Sequence, residues 1–288
     1  MATSKEWFAA ARWRTLPAAV VPVAVGVALA HAYVKVHWLE AFLALMVSLL
    51  IQIGTNYAND YSDGIRGTDT KRVGPTRLVA GGLASARSVL ALALTSFFLA
   101  GVLGLIVAAR TSWWILLVGA ASIAAGWFYT GGKNPYGYAG YGEVFVFVFF
   151  GLVSVVGSTY VSAGHIPWLA YLAAVPVGLL TVALLVINNL RDIPTDTQSS
   201  KRTLAVKIGD ANTRNLYVVL IAISFALVIP IAFARPFAAI ALAASIVARR
   251  PLQIIRNRAV GHDLIPALAA TGALMMSFGA LLALGIAL

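Results

Sequence analysis

The chain contains no cysteine, which removes disulfides and thiolate metal sites from consideration. Its four histidines, His31, His37, His165 and His262, share no ligand spacing, so an imidazole-held metal has no pattern to rest on. Charge of either sign is scarce. Asp and Glu number 10 against 21 Lys and Arg, and charged residues make up 11% of the chain, where hydrophobic ones make up 60%. A soluble domain carries about a quarter charged residues, so a mean hydropathy of +0.88 excludes an ordinary water-soluble fold. No glycine-rich nucleotide loop follows a strand, and there is no Gly-x-Ser-x-Gly. The pairs Gly81-Gly82 and Gly131-Gly132 fall between apolar runs, where glycine makes turns.

What the chain has in abundance is long apolar runs. A helix needs about 17–25 apolar residues to cross a bilayer, and nine such stretches are legible: 16–34, 41–60, 88–108, 112–130, 143–163, 168–190, 215–234, 236–248 and 263–287. They lack the strict alternation of an outer-membrane strand, so the expected fold is all-α, a polytopic membrane protein formed as one domain over 1–288. The first run is too long for a signal peptide and has no small-residue cleavage site, which predicts a retained span. Ahead of it, Trp7-Phe8 through Trp13-Arg14 mix aromatic and basic residues, as a segment lying on the membrane surface does.

The net charge of +11 raises nucleic acid as a partner, but its distribution points to topology. With nine spans and a cytoplasmic N-terminus, only Lys35, Arg110 and Arg235 of the 21 Lys and Arg fall in outer segments. That is the positive-inside pattern. It predicts a cell-membrane, multi-pass protein whose loops 61–87, 131–142, 191–214 and 249–262 face the cytoplasm, with membrane lipid as a partner and no role for nucleic acid.

Five of the ten acidic residues sit in two clusters at the ends of apolar stretches, both on the side assigned to the cytoplasm. The first is Asn56, Asp60 and Asp63, with Asp69 just beyond; the second is Asn188, Asp192 and Asp196. Each contains Asn-x-x-x-Asp followed by another Asp. Carboxylates are costly near hydrocarbon and mark a site when placed there. Two facing sets of oxygen ligands suit Mg²⁺, which in turn holds a diphosphate. Asn56, Asp60 and Asp63 fall at i, i+4 and i+7, so a helix aligns them on one face. Pro194 disfavours helical geometry at Ile193, which predicts that Asp196 lies on a turn away from the face of Asn188 and Asp192. The competing reading is that these side chains cap helix ends, although a duplicated pattern is hard to obtain from capping.

On these residues the chain resembles the UbiA superfamily of intramembrane aromatic prenyltransferases. The segments that carry the resemblance are Arg14-Thr-Leu-Pro17, Asn56 through Asp69, Gly74-Pro-Thr-Arg77, Tyr129-Thr-Gly-Gly132, Gly142-Glu-Val-Phe-Val-Phe147, and Asn188 through Leu204 with its Lys201-Arg202-Thr203. Tyr129-Thr-Gly-Gly132 and Gly142-Glu143 make it most similar to the branch that prenylates 1,4-dihydroxy-2-naphthoate in menaquinone biosynthesis.

The resemblance implies nine transmembrane helices around a central cavity, a prenyl diphosphate donor, an aromatic acid acceptor and two Mg²⁺ ions. It implies that Asn56, Asp60, Asp63 and Asp69 hold one ion and Asn188, Asp192 and Asp196 the other, with Asp60 and Asp192 indispensable to catalysis. Lys133, Arg191, Lys201 and Arg202 lie on the same side and are placed to bind diphosphate oxygens. Tyr129 either faces an allylic cation or serves as an interfacial tyrosine. Arg14 either binds the acceptor's carboxylate or anchors topology. Glu143, an acid at the start of an apolar helix, is expected to orient a cation or to deprotonate the acceptor.

Three alternatives remain open on sequence. One is a superfamily member acting on another acceptor such as 4-hydroxybenzoate. A CDP-alcohol phosphotransferase would concentrate its aspartates in one Asp-x-x-Asp-Gly-x-x-Ala-Arg segment, which this chain lacks. An ion-coupled transporter would place its acids near the bilayer midplane, whereas these sit at helix ends among basic loops.

Overall fold

The computed structural model describes residues 2–68, 77–199 and 201–288. Among these there is no strand, and the elements are α1 (Ser4–Ala10), α2 (Pro17–Tyr33), α3 (Trp38–Arg66), α4 (Ala86–Arg110), α5 (Trp114–Phe128), α6 (Gly142–Val146), α7 (Ser154–Ala163), α8 (Trp168–Gln198), α9 (Leu204–Ala226), α10 (Val228–Ala234), α11 (Ser245–Arg256) and α12 (Ile265–Ala287). A π-helical stretch, Phe147–Val153, joins α6 to α7, and a 3₁₀ stretch, Pro236–Ala244, leads into α11. Local chemistry sets the ends. Thr3 and Glu6 form a capping box on α1, the Ser85 hydroxyl accepts from the Ser88 N–H at 3.1 Å to start α4, and Gly67 closes α3 at φ +67°, a left-handed conformation that glycine adopts without penalty.

Seven helical stretches among the described residues are long and apolar enough to cross a membrane, and α1 with α2, bent by 49°, makes an eighth candidate. The expected 112–130 span is realised as α5, only 15 residues long. At 1.5 Å per residue that is about 22 Å, short of a hydrocarbon core of about 30 Å.

The helices that carry the acidic clusters depart from expectation in the opposite direction. The expected spans end at 60 and 190, whereas α3 runs 29 residues to Arg66 and α8 runs 31 residues to Gln198. Each is then over about 40 Å long and overruns the hydrocarbon. Counting apolar residues stops where Asn and Asp begin; the backbone does not stop there, because these polar side chains find tertiary partners. Likewise the 191–214 segment is largely helical, since α9 begins at Leu204, with a break at Gly209 (φ 78°). The eighth span extends through Arg256 instead of 248. Pro194 does not end α8. One missing backbone bond near the end of a helix already packed along its length is tolerated, so Asp196 stays on the helix at i+8 from Asn188, correcting the expected turn.

The core has two main parts. α8 is the most buried of the candidate spans. Its Ala173, Ala174, Val177, Ala183 and Ile187 are fully enclosed by α2, α9 and α12 residues such as Leu29, Tyr217, Met275 and Phe278. Glycine permits a close approach here: a Cβ on Gly151 would stand 2.7 Å from the Gly178 Cα, so the π-helical stretch lies directly against α8. A smaller cluster of Tyr57, Ala58, Leu78, Val89, Ala93 and Phe97 joins α3 to α4. At the opposite end of α3, buried Glu40 pairs with Arg110 at 2.8 Å and fixes the same two helices.

Candidate functional site

A cavity of about 950 Å³ is lined by α2, α3, α4, α5, α7, α8 and the π-helical stretch. One part of its wall is polar and is made by the overrunning ends of α3 and α8. The rest is apolar or small, including Ile51, Gly104, Val107, Ile123, Phe149 and Leu184.

On α3, Asn56, Asn59, Asp60 and Asp63 are buried and line this cavity together. Their spacing of three, four and seven residues explains the shared face. Each is held. The Asn56 amide donates to the Ala11 carbonyl at 2.8 Å and to the Thr15 hydroxyl at 3.2 Å, tying the N-terminal segment to the site. The Asp60 carboxylate accepts the N–H groups of Leu78 and Val79 at 2.9 and 3.0 Å. Asp63 pairs with Arg77 at 3.3 Å and with Lys201 at 3.2 Å, and accepts a hydrogen bond from the Tyr138 hydroxyl.

On α8, Asn188, Asp192 and Asp196 line the same cavity. Arg191, buried, grips Asp192 through two nitrogens, Nε at 2.7 Å and Nη2 at 2.8 Å, and Nη2 also donates to the Asn188 oxygen at 2.7 Å. This fork geometry is specific to a guanidinium. Glu143 is buried but does not reach the cavity wall. Its Oε1 accepts from the Asn189 amide at 3.0 Å, and its Oε2 has no hydrogen-bond partner among the described residues.

The 129–141 segment connects the two helix ends. Arg66 donates to the carbonyls of Thr130 and Gly132, the Thr130 hydroxyl donates to Asn59 at 2.7 Å, and the Tyr138 carbonyl accepts the Arg202 N–H at 2.8 Å. Tyr129, Tyr136 and Phe145 form a continuous aromatic wall of the cavity, with ring centroids 5.5 and 3.9 Å apart. Burial first, and then the Asp63 charge, pushes the Tyr138 phenol well above its ordinary pKa, so it remains a donor.

Of the residues expected from sequence, Asn56, Asp60, Asp63, Asn188, Arg191, Asp192, Asp196, Lys201, Tyr129 and Arg14 line one cavity. Arg14 is exposed, with its guanidinium 5.4 Å from the Trp13 ring centroid. The side chains of Lys133 and Arg202 are exposed and do not line it. Asp69 lies outside the described residues. Sequence reasoning assigned no role to Asn59, Arg77, Thr130 or Tyr138. Asn59 was detectable, since it falls three residues after Asn56 and four before Asp63, on the same helical face. Tyr138 gave no signal, because its position depends on the path of the 129–141 segment.

The donor set suits a hard divalent cation: every candidate is a carboxylate or amide oxygen, as Mg²⁺ prefers. Among the described residues, no three acidic or histidine side chains are gathered closely enough to hold an ion by themselves. That accords with Mg²⁺ chemistry, in which one or two carboxylates act together with water and substrate phosphate oxygens.

The model of the UbiA prenyltransferase family matches residues 19–263. The chain is 48% identical over 276 residues to the 1,4-dihydroxy-2-naphthoate octaprenyltransferase of Mycobacterium tuberculosis, covering 96% of this chain and 94% of that protein. It is 38% identical to the protein of the same name from Escherichia coli, covering 76% of this chain and 73% of that one. Among solved structures, a UbiA homolog from Archaeoglobus fulgidus bound to GPP and Mg2+ has a similar fold, with TM-score 0.67 and 15% identity over 96% of this chain and 99% of that chain. The apo structure of a UbiA homolog from Aeropyrum pernix K1 gives TM-score 0.71 and 17% identity over 93% and 96%.

Proposed function

Because this chain belongs to the UbiA prenyltransferase family, we propose that it transfers a long-chain prenyl group from a prenyl diphosphate to 1,4-dihydroxy-2-naphthoate, with release of diphosphate and CO₂. The observation that carries this reading is a single cavity whose wall is part carboxylate and cation, part hydrocarbon. That is the shape of a substrate with a diphosphate head and an isoprenoid tail.

Asp60, Asp63, Asp192 and Asp196, with Asn56 and Asn188, would hold the divalent cation, and Asp69 joins this set by resemblance. When bound, the cation supplies Lewis-acid neutralisation of the departing diphosphate. We take two Mg²⁺ ions as the working stoichiometry, one for each cluster. Arg77, Arg191 and Lys201 are already in the cavity and are the cations available to diphosphate oxygens. Lys133 and Arg202 would reach the donor only by reorienting from the exposed positions described above.

The chemistry then requires orientation and exclusion of water. The carbon–oxygen bond to diphosphate breaks and an allylic cation develops. Tyr129, Tyr136 and Phe145 present ring faces and edges along its path and stabilise positive charge. The electron-rich ring carbon bearing the carboxylate attacks. A carbon–carbon bond forms there, and loss of CO₂ returns the electron pair that restores the aromatic ring, giving a demethylmenaquinol. Arg14, exposed on the cavity wall, holds the acceptor carboxylate until that bond has formed. The protein spans the membrane with nine helical segments and opens this site to the cytoplasm, as the basic loops require.

Purified protein offered 1,4-dihydroxy-2-naphthoate and 4-hydroxybenzoate in competition, with one long-chain prenyl diphosphate and Mg²⁺, tests the reading. Naphthoate should be consumed with stoichiometric CO₂. Preference for 4-hydroxybenzoate with its carboxylate retained would reassign the acceptor, and gradient-driven uptake in vesicles without product would restore the transporter alternative.

A further inference from the structure

Lys201 meets two different partners at once. Its Nζ is 3.2 Å from Asp63 Oδ1 and 4.7 Å from the centre of the Tyr138 ring. The Tyr138 hydroxyl donates to that same Asp63 oxygen. Lys201 and Asp63 are both buried, and all three side chains line the cavity. The backbone of Tyr138 is anchored separately, through its carbonyl, to the N–H of Arg202. The ring therefore stays beside Lys201 whatever Asp63 does.

If Asp63 turns its oxygens to a cation, as proposed above, Lys201 loses part of its charge partner while still enclosed by protein. An ammonium left without compensation in such a place is costly and tends to swing to solvent. A ring face beside it lowers that cost. We infer that Tyr138 is a positioning residue that keeps the Lys201 ammonium in the cavity, available to the donor's diphosphate, once Asp63 is drawn to the cation. The inference rests on the functional reading above. Tyr138 acts through Lys201 and is not itself assigned contact with the reacting atoms.

The test separates ring from hydroxyl. Binding of inorganic pyrophosphate with Mg²⁺ to the detergent-purified full chain is measured by calorimetry, alongside KM for the prenyl donor and for the acceptor. Tyr138→Leu removes ring and hydroxyl and should weaken pyrophosphate binding and raise donor KM by about three- to thirtyfold, the range of a cation–π contact, with acceptor KM unchanged. Tyr138→Phe keeps the ring and should fall within about threefold of wild type. In a Lys201→Met background, Tyr138→Leu should have little further effect, as expected for two residues that act as one unit. The inference is overturned if Leu and Phe behave alike, or if Tyr138→Leu costs as much in the Lys201→Met background. Absence of pyrophosphate binding by the wild-type protein would instead remove the site reading, and this inference with it.

Discussion

Asp63 on α3 and Lys201, just ahead of α9, form an ion pair at 3.2 Å that joins the two acidic segments. The first segment contributes the carboxylate, and the connection that follows the second contributes the cation. Two motifs far apart in sequence thus share one electrostatic unit before any substrate arrives.

Asp60 and Asp192 carry different local duties, which shapes how they should be tested. Asp60 holds two backbone N–H groups and Asp192 holds Arg191, so alanine would disturb folding as well as charge. Asn keeps an acceptor and removes the negative charge. Asp60→Asn and Asp192→Asn should each lower kcat/KM by about a hundredfold or more, the scale of losing one electrostatic contact to the transition state, with yield and monodispersity in detergent unchanged. Near-normal turnover of either variant would reject the two-cluster site.

Removal of divalent ions should silence the enzyme without unfolding it. The carboxylates Asp63 and Asp192 already have the protein cations Arg77, Lys201 and Arg191 as partners, so the ion-free site is not a pool of unbalanced negative charge. Chelator-treated protein is expected to keep its helical circular dichroism and its elution position, and to recover activity on Mg²⁺ addition. Loss of helicity on chelation would show that the ion is structural.

The absence of cysteine makes topology directly measurable. Ser85→Cys and Ser199→Cys should be labelled by an impermeant thiol reagent from the cytoplasmic side, and Lys35→Cys from the other. Labelling of the first two from opposite faces is incompatible with both clusters serving one cavity.

Glu143 lies behind the cavity wall, bonded to Asn189. Glu143→Gln preserves the accepting oxygen and should leave turnover within severalfold of wild type. Glu143→Ala leaves the Asn189 amide without this partner and should destabilise the protein by about 1–3 kcal/mol, visible as a lower Tm. A hundredfold loss of kcat in the Gln variant alone would instead give Glu143 a charge-dependent role in the reaction.

The sequence makes the helical membrane class and most of the polar wall legible, because a carboxylate beside hydrocarbon has few reasons to be there. Asn56, Asp60 and Asp63 were readable as one face from helical spacing alone. Asp196 was misread because Pro194 is a strong local signal, and α8 overrides it through packing along the whole helix. Span limits were misread for a related reason: hydropathy registers where lipid ends, not where the hydrogen-bonded backbone does. Lys133 and Arg202, placed by resemblance and charge, have exposed side chains, since neither signal specifies which way a side chain points. Arg77 and Tyr138 became visible only when the chain's path brought distant segments to Asp63.

The π-helical stretch at Phe147–Val153 fixes how this span can change in length. A π turn accommodates an extra residue within a helix, and here it sits between a cavity wall and the close contact of Gly151 with Gly178. Losing one residue would allow ordinary winding but turn everything after it by about 100°. Val155, fully buried in the core, and Ser158, whose hydroxyl bonds the Ser154 carbonyl at 2.6 Å, would then face different neighbours. Point substitution and single-residue deletion should therefore diverge sharply here. Deletion of Phe149 is expected to abolish recovery of folded protein, while Phe149→Leu is expected to be recovered and to alter only the shape of the hydrocarbon wall.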